Sequence, residues 1–148
     1  MVLLLAGFVF MEVFSWAFHK YIMHGVLWSI HKTHHVPGKG YFERNDLFTL
    51  FFGSMSTLLI VLGAMDGFDG RFWFGMGIAG YGAVYFVLHD MIIHKRIKGL
   101  KRGSNRYLQG IAKAHADHHK SKERADSVCF GLLWVPKKYF QNNNISKS

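Results

Sequence analysis

The sequence predicts an all-α, integral-membrane helical bundle of about three spans plus an interfacial segment, capped on its cytoplasmic side by a histidine-rich layer. Three observations carry this expectation. Half of the 148 residues are apolar, and they gather in long runs. The basic residues lie between and after those runs. All ten histidines fall in four short clusters beside the runs.

The first run, Val2–Phe18, carries a single charge, Glu12, whereas Leu47–Met65 and Phe72–Leu88 carry none. As helices these stretches are roughly 25–28 Å long, close to the ~30 Å hydrocarbon layer. The first lacks a basic leader and a small-residue cleavage site, so it is expected to persist as a span rather than be removed as a signal peptide. Ser127–Val135 is apolar but too short to cross, and is expected to be interfacial or re-entrant. Residues 1–140 are expected to form one membrane-embedded domain, with 141–148 a polar, frayed tail.

Eighteen Lys and Arg against nine Asp and Glu leave a net charge of +9. With the charges set between apolar runs, the expected counterpart is membrane lipid or an acidic partner and not nucleic acid. Cys129 is the only cysteine, which excludes an internal disulfide and a Cys-based metal site. The Asp66–Arg71 loop holds one basic residue; the loop after the first span holds Lys20, Lys32, Lys39 and Arg44, and the segment after the third holds the other thirteen. The positive-inside rule then places the two basic segments in the cytoplasm and the short acidic loop outside. Within the last segment, the run Lys95, Arg96, Lys98, Lys101, Arg102 and Arg106 is expected first to anchor the cap to anionic lipid. Docking of an acidic electron donor is its second possible use.

His19 and His24 form H-x4-H after the first span, and His31, His34 and His35 form H-x2-H-H. The order then repeats, with His89 and His94 after the third span and His115, His118 and His119 further on. Residues i, i+3 and i+4 share a helical face, so each H-x2-H-H can present three imidazoles to one centre. A helix from Ser104 to Arg124 would align Leu108, Ile111, Ala112, His115, His118 and His119 inward, with Arg106, Lys113, Asp117, Lys120 and Arg124 largely opposite. Pro37 and Gly38 would stop the earlier histidine helix. The H-x4-H pairs fit less well, because five residues turn about 140° on an ideal α-helix. Either the helix loosens before the second histidine or the two serve different metals.

Ten neutral imidazoles suit iron, zinc, copper or nickel. Zinc usually closes its shell with four ligands. Two ions with about five histidines each, keeping open positions, fit six-coordinate iron better, on the count alone. Glu12 and Ser15 lead by helical spacing to His19, and Tyr81 and Tyr85 to His89. Tyr81 and Tyr85 are candidates to line a substrate site. Glu12, as an ionisable group within a span, is a candidate to orient a ligand or, equally, a carboxyl tied to a helix neighbour. Gly75-Met-Gly77-Ile-Ala-Gly80 matches a dinucleotide-binding fingerprint but lies inside a predicted span without a preceding strand. Gly75, Ala79 and Ala83 instead suggest a small-residue packing stripe, and Gly77, Gly80 and Gly82 either packing or room for a flat substrate.

The clusters and their surroundings resemble the bacterial β-carotene hydroxylases of the fatty-acid hydroxylase/sterol desaturase superfamily. The matching text is His19-Lys-Tyr-Ile-Met-His24-Gly25, His31-Lys-Thr-His34-His35, Glu43-Arg-Asn45-Asp46-Leu47, Tyr85-Phe-Val-Leu-His89-Asp90 through His94, and His115-Ala-Asp-His118-His119. It runs from about Met11 to Pro136, while the surroundings of Cys129 and of Val135–Lys138 match only loosely. The resemblance implies a di-iron monooxygenase with all ten histidines as ligands, O2 as cosubstrate and a ferredoxin-type donor. It also implies hydroxylation of carbon 3 of a β-ionone ring, giving β-cryptoxanthin and then zeaxanthin. All-histidine ligation carries no negative charge, so Asp46, Asp90 and Asp117 are candidate partners of the ligands, each also suited to a cap or a solvated charge.

Rival readings are a membrane fatty-acid or sterol hydroxylase, a desaturase or a carotenoid ketolase. From another class, a membrane metal-binding or transport protein would place histidines or carboxylates through the spans. Here only Glu12 lies inside one.

Overall fold

The computed structural model describes residues 1–36, 42–96, 105–120 and 128–141, which form helices and loops without a strand. Helix α1, Val2–Ala17, continues into a π-helical stretch, Phe18–Val26, and a kink at Gly25 leads to α2, Trp28–His35. Helix α3, Asp46–Met65, and α4, Gly70–Tyr85, form an antiparallel hairpin, and α4 likewise runs on into a π-helical stretch, Phe86–Ile93. Helix α5, Arg106–Lys120, precedes an irregular strap, 128–136, and a 3-10 turn, Lys137–Phe140. Among the described residues, three helices are long and apolar enough to cross a membrane, Val2–Val26, Asp46–Met65 and Gly70–Ile93. The first and third outrun the apolar stretches because their π-helical ends carry the histidine pairs.

Glycines set how closely these helices approach. A Cβ on Gly77 would fall on the Leu4 carbonyl oxygen of α1, and one on Gly7 on the Phe74 carbonyl oxygen of α4. On the other side of α4, Gly75 abuts Leu59 and Ile60 of α3, and Gly63 of α3 abuts Phe72. Gly77 is therefore a packing residue. Of the expected stripe, Gly75 packs on α3, while Ala79 lines a cavity and Ala83 is exposed. At the tight turn between α3 and α4, Gly67 takes a positive φ of 79°, and Arg71 pairs with Asp66 and Asp69.

Helix α5 buries Gly110, Ile111, Ala112, Ala114 and His118. Gly110 and Ala114 lie behind the expected stripe because the C-terminal turn covers that side. Tyr139 packs with Ile111, Ala114 and Val135, and the Phe140 ring rests on Gly110. From the histidine end the strap runs back along α1 until Leu133 packs beside Met11, Ile78 and Tyr81. Pro37, Gly38, Lys39, Lys98, Lys101, Arg102, Ser104, Arg124 and the tail from residue 142 lie outside the described residues.

Candidate metal centre

All ten histidines converge at one end of the bundle, and the π-helical stretches make this possible. Where the backbone hydrogen bond runs from i+5 to i, side chains five apart share a face. The His94 amide bonds the His89 carbonyl at 2.9 Å, and Leu27 bonds Ile22 in the same pattern. Of the two options the H-x4-H spacing left, the helix loosens: His19 and His24 meet in one group, His89 and His94 in another.

The two groups are His19, His24, His31, His35 and His118, and His34, His89, His94 and His115, each with candidate ligand atoms within 4.8 Å of one another. Neither H-x2-H-H, which could present three imidazoles to one centre, keeps them in one group. The i, i+4 pair of the first motif joins one group and its i+3 residue crosses to the other, and in the second motif His115 and His118 part likewise. On an α-helix, i+4 lies about 40° to one side of i and i+3 about 60° to the other, so the two point apart. Ring separations show the split: 4.9 Å for His31–His35 but 6.3 Å for His34–His35, and 4.4 Å for His115–His119 but 5.6 Å for His118–His119. His119 belongs to neither set of ligand atoms; its ring adjoins the second group, 4.4 Å from His115, 4.7 Å from His34 and 4.9 Å from His94, and borders the first at 4.5 Å from His35.

Both groups fit metal ions. Nitrogens bound to one ion at about 2.0–2.1 Å lie about 3 Å apart. The Nε2 atoms of His19 and His31 are 3.0 Å apart, of His24 and His118 3.2 Å, and of His31 and His35 3.2 Å. In the second group, His34–His89 is 3.1 Å and His94–His115 2.8 Å. The Nε2 of His119 is buried and has no hydrogen-bond partner among the described residues, which leaves its lone pair for an ion. Burial also keeps these rings neutral, as ligands must be. It pushes His31, His94 and His118 down to about 3 and His119 to about 2, with neighbouring histidines adding to the effect.

The outer nitrogens separate the groups further. In the first, His19 Nδ1 donates to the Phe130 carbonyl at 2.9 Å, His118 Nδ1 to the Val128 carbonyl at 2.9 Å, and His31 Nδ1 to Asn45 Oδ1 at 2.7 Å. In the second, His34 Nδ1 donates to Glu43 at 3.1 Å and His89 Nδ1 to Asp90 at 2.7 Å. Because these oxygens only accept, the protons sit on Nδ1 and the Nε2 lone pairs point inward. Carboxylates thus back the second group, and uncharged oxygens the first.

Asp90 bonds a histidine of the second group, His89, directly. Asp46 acts one step removed, accepting from Arg96 at 2.9 Å, while Arg96 also pairs with Glu43 at 3.2 Å. Asp117 pairs with Lys120 on the surface. Glu12 accepts from Tyr81 Oη and from the backbone amides of Leu133 and Trp134. Glu43 and Asn45 were missed as ligand partners, although both stand in the matching text; a polar pair preceding a span reads locally as a helix cap. Of the basic run, Arg96 is held internally and Arg106 donates to the Phe140 carbonyl.

A cavity of about 380 Å³ opens between α1, α3 and α4, reaching from Ile60, Ser56 and Ile78 to His19, His89 and His115. Tyr81 and Tyr85 line it, and the Tyr85 ring stacks on His89 at 4.4 Å. Along α3 it runs from Asn45 to Ile60, about 22 Å at 1.5 Å per residue.

The fatty acid hydroxylase family model matches residues 4–137. A β-carotene hydroxylase of Pantoea ananas is 41% identical over 126 residues, 85% of this chain and 71% of the relative. One from Paracoccus sp. (strain PC1) is 33% identical over 135 residues, 90% of this chain and 83% of the relative. A chloroplastic β-carotene 3-hydroxylase of Arabidopsis thaliana is 35% identical over 127 residues, 82% of this chain and 39% of the longer plant protein. No solved structure matches.

Proposed function

We propose that this chain, which belongs to the fatty acid hydroxylase family, is a membrane oxygenase that hydroxylates carbon 3 of the β-ionone rings of carotenoids, giving β-cryptoxanthin and then zeaxanthin. The observation that carries this reading is the apolar cavity ending on both histidine groups. Its depth suits a rod-like molecule lying along the helices. Gly53, Thr57, Gly82 and Phe86 line it yet are exposed, which gives the substrate a lateral way in from lipid.

All ten histidines are the proposed ligands, five to each ion. Two irons held there, with O2 and electrons from a ferredoxin-type donor, supply the oxidant that an unactivated ring C–H bond requires and that no side chain provides. The chain's own part is positional. The Nδ1 hydrogen bonds fix the imidazoles, Asp90 and Glu43 offset the charge of the second centre, and Phe18, Phe48 and Phe130 limit water beside the ring. The histidine end is cytoplasmic, as the Lys and Arg distribution directs. A reporter fused after Lys138 is expected in the cytoplasm and one inserted at Gly67 outside; both on one side would remove this topology.

A carotenoid is about as long as the ~30 Å hydrocarbon layer, so one bound molecule offers one ring to the site. In cells making β-carotene, β-cryptoxanthin is therefore expected to rise and fall before zeaxanthin accumulates, with His118→Ala leaving β-carotene unchanged. Pigment chromatography over time tests this. Hydroxylated fatty acids with β-carotene untouched would move the assignment to the lipid hydroxylases, and a keto product to the ketolases.

A further inference from the structure

We infer that Glu12 is a positioning residue for one of the two centres, acting from inside the membrane span through the strap 128–136. This rests on the metal-binding reading of the histidines. Among the described residues the strap's histidine contacts are with the first group: the Phe130 carbonyl fixes His19, the Val128 carbonyl fixes His118, and the Phe130 ring stands edge-on to His19, His24 and His118 at 5.5, 5.1 and 5.3 Å. Carbonyl oxygens align a ring only as well as their own backbone is held, and no regular hydrogen-bond ladder holds this one.

Tyr107 Oη donates to the Leu133 carbonyl at 2.6 Å, and Glu12 supplies the hold on the amide side. Its Oε1 accepts from the Leu133 amide at 3.0 Å and the Trp134 amide at 2.9 Å, and its Oε2 accepts from Tyr81 at 2.8 Å. Ser15 closes the set through Tyr81 Oη at 2.8 Å. Backbone amides in an apolar layer cost several kcal/mol each when unpaired, so a strap that enters the bundle needs an acceptor there. A carboxylate in a span is costly as well, and three hydrogen bonds offset it. From Glu12 in α1 to His19 in the π-helical stretch that continues it is about two helical turns, so the helix that leads into the His19 stretch carries the anchor of the strap covering it. Among the described residues the second group is backed instead by Glu43, just before α3, and by Asp90 in the π-helical stretch after α4.

The test compares Glu12→Met with wild type. Methionine keeps the length and suits an apolar span, so the helix persists, while the acceptor is gone. Iron per chain is expected to fall from about two towards one. In metal-free protein, hydrogen exchange at Leu133 and Trp134 is expected to quicken at least ~10-fold, with α3 unchanged. Glu12→Gln, which retains an acceptor oxygen for both amides, is expected to keep both irons. Trp134→Pro, which deletes one donor from the strap side and leaves the span intact, is expected to behave as Glu12→Met does. Two irons and unaltered exchange in Glu12→Met or Trp134→Pro would overturn the inference, as would a Gln variant that loses iron. The exchange arm requires no metal, so a wild type without iron would defeat the metal reading while the strap's dependence on Glu12 is still decided.

Discussion

Alanine at His34 is expected to empty the centre that contains His89, His94 and His115, while alanine at the adjacent His35 empties the other. The two residues are neighbours in sequence, yet the His34 ring lies 4.8 Å from His89 and 6.3 Å from His35. Each single variant should retain about one iron per chain. His34→Ala combined with His89→Ala should lose little more than either alone, whereas His35→Ala combined with His89→Ala should lose both ions. Activity is expected to fall at least ~100-fold in either single variant, since a lost ligand costs more than the 10–100-fold typical of a lost outer partner. Metal analysis and pigment turnover on the same preparations measure both effects. Equal behaviour of the two double variants would show that the ligands are not divided in this way.

Leucine at Gly77 is expected to cost about 3 kcal/mol or more, because the atoms in its way are backbone and cannot rotate aside. The Leu4 carbonyl and the Phe8 amide of α1 both lie where the new Cβ would go. Prising α4 from α1 would also separate His89 from His19, so iron should be lost together with resistance to heat in detergent. Gly82→Ala, with nothing within 4 Å of its Cβ, is the stability control. Wild-type thermal resistance in Gly77→Leu would mean that the two helices do not meet there.

Much of this molecule was readable from order along the chain. Three apolar runs, an acidic turn and basic flanks are properties of neighbouring residues, and each apolar run maps on to a helix that the structure contains. The histidine stripe of α5 was legible for the same reason: a 3.6-residue period is imposed by backbone hydrogen bonding and needs no partner to appear. Even the awkward H-x4-H spacing was informative, since it demanded either a looser helix or different metals, and a π-helical turn satisfied it twice.

What the sequence by itself determined is therefore the class of the protein, the number of spans, the one end to which all ten imidazoles belong and the metal chemistry they suit. Local periodicity, hydrophobicity and charge specify these. Only the tertiary structure decided which group most of the histidines join, because the ~100° between His34 and His35 acquires meaning only when other helices stand on both sides of α2. It alone paired His34 with Glu43 and His31 with Asn45. It also gave Glu12 its two amides, 121 and 122 residues away, on a strap whose sequence showed only that it was short and apolar. A carboxylate facing distant backbone leaves no pattern in sequence, since every residue but proline offers the same amide and only the folded chain selects which two arrive.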